Sequence, residues 1–234
     1  MQQPLLTAFW SDLVLLSFEA PEPLLRALVP PGVELDRWQG RTHVSLVALR
    51  MRDLRVRGWR VPGLAGHAQL NLRTYVRYRG APGVWFVREL VPSRLVALLA
   101  RLRYGEPCGT MALDAQVSLR DSAVHALYRM GGAALGWHLS VTGSQALGQL
   151  RPHSPERYFT ERGFACRARR GGRLAVVHVA HPPWAVRAVS ALDYKVDFEA
   201  LYGATWRFLN DQAPVSTILA AGSEVAVSAP VLER

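Results

Sequence analysis

QLNLRTYVRYR, residues Gln69–Arg79, is followed by Gly80–Ala81–Pro82–Gly83 and by a second run, VWFVRELV, residues Val84–Val91. Side chains on a strand alternate between faces, so Leu70, Leu72, Thr74, Val76 and Tyr78 share one face and Asn71, Arg73, Tyr75 and Arg77 the other. Glycine in the intervening segment supplies the positive φ that a tight reversal needs, which makes Gln69–Val91 a predicted hairpin. One face is apolar; the other, with Asn, Arg, Tyr and Arg, meets either solvent or a polar cavity.

The same period recurs outward from this hairpin. Thr42–Arg52, Thr110–Leu119, Val124–Met130, Leu135–Thr142, Leu174–Ala180 and Glu224–Ser228 are short runs rich in Val, Leu and Tyr, bounded by Gly, Pro or Asp. Arg170–Gly171–Gly172–Arg173 marks a second hairpin over Phe164–Ala180. Helices are predicted over Pro21–Val29, Ser93–Tyr104, Ser154–Arg162 and, interrupted by Gly203, Phe198–Leu209. In Ser93–Tyr104 a stripe of Leu95, Val96, Leu98, Leu99 and Leu102 is expected to pack on the core. With no repeat and no linker, residues 1–234 read as one domain.

The chain has 234 residues, 50% apolar and 20% charged, a composition that supports one folded core. Basic residues number 28 against 18 acids, and Lys195 is the only lysine, so any amine-based mechanism has a single candidate. Its two aspartate neighbours, Asp193 and Asp197, predict an ordinary exposed cation. Arginines cluster at Arg50–Arg60, Arg73–Arg79 and Arg167–Arg173, yet no helix-turn-helix, zinc-finger or ribonucleoprotein motif accompanies them, and no nucleic-acid partner is expected. Met130–Leu150 is uncharged but too polar to span a bilayer, and the opening MQQPLLTAFWSD lacks a basic leader region, so the expected location is cytoplasmic, off the membrane.

Motif searches mostly exclude. Cys108 and Cys166 stand 58 positions apart and read as core thiols. His178 and His181 fall on opposite faces of a strand, without a third ligand at fixed spacing, so no metal and no cofactor is expected. Neither a G-x-S-x-G elbow nor a phosphate-binding glycine loop occurs. What remains is charge inside apolar strands. Glu89 follows Val84–Val87, where an inward carboxylate needs a partner, and it is either half of a structural ion pair or a general base.

Four segments carry a resemblance: WSDLVLLSFEAPEPLLRALVPPGVELDRWQGRTHVSLVALRMRDLRVRG, LNLRTYVRY, VWFVRELVPSR and ERYFTERGFACRARRGGRL with HVAHPPW. Together they resemble the uncharacterised bacterial DUF2071 (YqjF-like) family, from about Trp10 to Trp184 and more loosely beyond. That family is related to acetoacetate decarboxylase, and the relation implies a closed, cone-like antiparallel β-barrel with a buried pocket. The decarboxylase works through a Schiff-base lysine placed just after an Arg-Glu-Leu strand end. Arg88–Glu89–Leu90 matches that strand end, but Arg94 or Leu95 falls at the lysine position, and neither can be an amine nucleophile. The decarboxylase's substrate-contacting arginine falls near Trp10, and its upstream acid has no counterpart, since Leu54–Arg88 contains no Asp or Glu. Fold carries over; decarboxylation does not.

The expected protein is therefore α+β, predominantly antiparallel β, with a barrel pocket for a small anionic or oxygenated organic molecule. Arg73 and Arg94 are expected to hold a carboxylate, Tyr75 to offer an apolar body with one hydroxyl, and Glu89 to balance the charge or act as base. A lyase or isomerase acting on a small keto acid through Glu89 and a structural or interaction module with a filled barrel are the alternatives; self-association is left open.

Overall fold

The computed structural model describes residues 4–60, 66–103, 108–169 and 172–233, the side chains of 99–103 excepted. Eleven strands there have five residues or more: β1 (Leu6–Glu19), β2 (His43–Val56), β3 (Gly66–Tyr78), β4 (Ala81–Val91), β5 (Leu113–Arg120), β6 (Ala123–Met130), β7 (Trp137–Ser144), β8 (Phe164–Ala168), β9 (Leu174–Ala180), β10 (Val189–Lys195) and β11 (Ser216–Val227). Four short α-helices join them, α1 (Glu22–Arg26), α2 (Arg94–Arg103), α3 (Pro155–Thr160) and α4 (Phe198–Tyr202). No helix among the described residues is long and apolar enough to cross a membrane.

The long strands form a sheet in the order β11–β1–β2–β3–β4–β8–β9, antiparallel except for the single β4–β8 pair, Ala165 with Val84. β9 also pairs with β11, Val179 with Val227 and Ala180 with Ala226. A second sheet runs β10–β7–β6–β5. Alternation divides the first sheet's side chains cleanly. Val14, Leu16 and Phe18 of β1, Val44, Leu46 and Ala48 of β2, and Leu70, Leu72 and Val76 of β3 pack in one cluster with Ala126, Tyr128, Met130, Leu139 and Val141 of the second sheet. Leu13, Leu15, Val47, Leu49, Met51 and Tyr75, on the opposite face, join a separate cluster with Phe159, Trp184 and Ile218. Both faces are thus buried, which is why β1 reads as the continuous apolar run LVLLSF rather than as an alternating strand.

The Gln69–Val91 hairpin forms as expected, while several element edges move. The Phe198–Leu209 segment breaks at Gly203 into α4 and a 3₁₀ segment, Ala204–Asp211. Ser154 caps α3 by accepting the Arg157 N–H at 3.2 Å. Helix α2 departs from its expected packing: Leu95 is 53% and Leu98 51% exposed, whereas Ala97 is 3% exposed and packs with Val91, Val96 and Cys108. The helix starts immediately after β4 through Pro92 and Ser93, so its attachment sets the inward face, and two leucines of the stripe turn outward. Leu99 and Leu102 lie outside the described side chains. Accordingly, Leu72→Ala, between the two sheets, is expected to cost about 2–5 kcal/mol in urea unfolding, and Leu98→Ala to stay within about 0.5 kcal/mol.

Candidate functional site

The inner face of the first sheet does not fill completely. A cavity of about 340 Å³ lies against β1–β4, β8, β9 and β11. Five of its polar side chains come from adjacent strands: His67, Gln69, Asn71 and Arg73 alternate along β3, and Glu89 lies on β4. A β-bulge makes this possible. Asn71 pairs with Glu89 and Leu72 with Arg88, but Arg73 pairs with Phe86, leaving Val87 as an extra residue. The bulge resets the alternation, so Glu89 and Phe86 both line the cavity while Trp85 and Leu90 pack in the cluster between the sheets.

Arg73 is 7% exposed, and its Nη2 donates to the Phe159 carbonyl of α3 at 3.0 Å. Its guanidinium carbon stands 5.9 Å from the Tyr75 ring centre. Among the described residues its Nε has no hydrogen-bond partner, and no ion pair there includes it. Glu89, 5% exposed, accepts from Gln69 Nε2 at 2.5 Å. Asn71 Oδ1 and Trp10 Nε1 are likewise buried without partners at the cavity lining. Burial pushes the His67 imidazole below its ordinary range.

Beyond Arg73 the interior is packed. Tyr75 is fully buried, 2.5 Å from Ser45 Oγ, which in turn lies 2.7 Å from Ser17 Oγ. Tyr158 and Phe159 of α3 stack around Tyr75 at 5.3 and 5.2 Å between ring centres. Arg162 donates to Asp36 at 2.5 Å and lies over Tyr158 and Tyr75, 4.1 and 4.9 Å from their centres. Tyr75 therefore belongs to this plug and is not among the residues lining the cavity.

Of the residues expected together, Arg73 and Glu89 line the same cavity and Tyr75 sits behind Arg73. Arg94 does not join them: it opens α2 at the protein surface, and neither it nor Leu95 lines the cavity. The reason is the abrupt end of β4 at Pro92, after which the first helical residues face outward. Lys195 is exposed on β10, in the other sheet. His178 is exposed and His181 stacks on Trp184, 4.3 Å between ring centres. Gln69 and His67 were not among the expected lining residues, although both continue the odd-numbered face of β3; Trp10, which the resemblance sets near the decarboxylase's substrate-contacting arginine, lines the cavity although β1 has no alternation to point to it.

A family model matches residues 7–224. The chain belongs to the DUF2071 family, described as an uncharacterized conserved protein. The uncharacterized protein YqjF of Bacillus subtilis is 37% identical over 99 residues, 42% of this chain, and the chain matches 41% of that relative's length. Among solved structures, acetoacetate decarboxylase from Legionella pneumophila is similar at a TM-score of 0.61 and 15% identity, covering 99% of this chain and 87% of that one. The enduracididine biosynthesis enzyme MppR complexed with pyruvate gives 0.63 and 12%, covering 99% and 91%. An acetoacetate decarboxylase-like enzyme from Sphingomonas wittichii RW1 gives 0.62 and 13%, covering 100% and 95%. At such identities the likeness establishes the fold.

His67 and His43, whose pKa values burial lowers, give this family member a defined acid response. The folded state keeps both imidazoles neutral, so below about pH 6.5 the unfolded chain binds more protons and stability falls with pH until the lower folded pKa values are passed. Because the His138 pKa, raised by its Gly136 and Asp193 hydrogen bonds, acts the other way in both proteins, the test is the difference: in chemical unfolding from pH 7.5 to 5 the native chain is expected to lose stability more steeply than His67→Gln.

Proposed function

We propose that the first sheet closes, through the β9–β11 pairing, into a cone-like barrel, and that its cavity binds a small organic anion, with Arg73 as the principal donor. The observation that carries this reading is the buried Arg73 guanidinium, which has one carbonyl acceptor, a bare Nε and no ion pair among the described residues. Leaving a buried cation without an anionic partner is expensive, and a carboxylate matches the guanidinium fork better than water does. Asn71 Oδ1 is a second buried polar atom without a partner among the described residues at the same lining, and Gln69 donates to Glu89.

Schiff-base chemistry is not part of the proposal. No lysine lines the cavity, and the residues following β4 at the position expected for one face outward. Decarboxylation needs an electron sink that neither arginine nor leucine supplies. Glu89 is favoured as a general base in a second reading, a lyase or isomerase, because it lines the same cavity one strand from Arg73. A cavity of about 340 Å³ argues against a wholly packed structural module.

The test compares matched acids and amides in thermal unfolding. Benzoate and hexanoate are expected to raise the Tm, by an amount equivalent to about 2.7 kcal/mol at a hundredfold excess over Kd, and benzamide and hexanamide to do much less. Arg73→Met is expected to abolish the difference and Arg94→Met to leave it intact. Equal shifts from acids and amides would refute the reading. Turnover of an enolisable keto acid that Glu89→Gln abolishes would favour the second reading.

A further inference from the structure

The walls of the cavity divide by chemistry. Among the described residues, all of its amide, imidazole and ionisable oxygen- or nitrogen-bearing side chains come from β3 and β4. β1, β2, β8, β9 and β11 contribute Leu, Val, Met, Ala and Trp only, with the Trp10 indole N–H as the single polar atom on those walls. The polar wall is small, with one guanidinium able to grip one carboxylate. The apolar walls are extensive.

The volume decides what fits. About 340 Å³ is roughly twice the ~150 Å³ of an apolar cavity that admits benzene. A three-carbon keto acid would occupy the Arg73 end and leave most of the apolar wall bare. Apolar cavities hold water poorly and gain from hydrocarbon contact. The occupant that satisfies both halves has one anionic head and a hydrocarbon body.

We infer that the natural ligand class is an amphipathic monocarboxylate with a body of about six to ten carbons, its carboxylate on Arg73 and its chain or ring against Leu49, Met51, Leu54, Val177 and Trp184. This rests on the anion reading of the same cavity and narrows it. The head fixes orientation through a bidentate contact, and the body supplies most of the affinity through buried area.

Isothermal titration of the full chain with butanoate, hexanoate and octanoate, and with octan-1-ol, tests this. Each added methylene is expected to tighten binding about three- to fourfold, and octanoate to bind about a hundredfold more tightly than butanoate. Octan-1-ol is expected to bind at least tenfold more weakly than octanoate, and Arg73→Met to remove that preference. Should that variant fail to fold, the octanoate to octan-1-ol ratio on the native chain reads the same contribution. Equal affinity across the carboxylates would overturn the amphipathic class and leave the anion reading standing. Octan-1-ol binding as tightly as octanoate would overturn the anionic head, and no binding by any carboxylate would overturn both.

Discussion

A guanidinium on the inner face of a strand is the constraint around which the rest of this protein is arranged. Arg73 occupies the odd-numbered face of β3, where strand alternation puts it among buried groups whether or not a partner is present. A buried arginine cannot lose its charge, so its surroundings must answer it. Phe159 supplies one carbonyl and Tyr75 the face of a ring, neither of which neutralises it. α3 is held at that end of the sheet by its own aromatic contacts, and the Ser154 cap and Pro155 start the helix where its last turn can present the Phe159 carbonyl.

The comparison within the molecule is instructive, because the same interior holds another buried arginine. Arg162 meets Asp36 at 2.5 Å and lies against the rings of Tyr158 and Tyr75, so its charge is matched by a carboxylate and supported by two aromatic contacts. Removing one member of such a pair typically costs about 3–5 kcal/mol, a structural role on its face. Among the described residues Arg73 has no such ion pair, and it lines a cavity. Two arginines of the same interior are thus given opposite treatment: one is closed off as part of the plug, and the other faces a space large enough for a ligand. Solved structures that share the fold include an acetoacetate decarboxylase, and in this chain the single lysine, Lys195, lies on β10 and does not line the cavity.

Much of this was legible in the residues because period-two alternation is a strong local signal. It placed Asn71, Arg73 and Tyr75 together on one face and Leu70, Leu72 and Val76 on the other, and the Gly80–Gly83 turn located the hairpin. It failed where both faces are buried, which hid β1, and where a bulge breaks the count. The extra residue Val87 is invisible to alternation, yet it decides that Glu89 and Phe86 share the cavity. Helical periodicity identified α2 but not its orientation: a stripe of leucines names an apolar face without saying what covers it, and the junction at Pro92 turned Leu95, Leu98 and Arg94 outward. A hydroxyl on the odd-numbered face suits a ligand contact, which is what the sequence suggests for Tyr75, but in the fold Ser45 and Ser17 satisfy it.

The most direct measurement is a crystal structure of the protein grown with 6-bromohexanoate, with anomalous diffraction to locate the bromine. The account predicts the carboxylate within hydrogen-bond distance of the Arg73 guanidinium and the bromine against the aliphatic wall of β2 and β9. A cavity without bromine, or one in which the carboxylate lies away from an Arg73 side chain folded back onto Glu89, would contradict it.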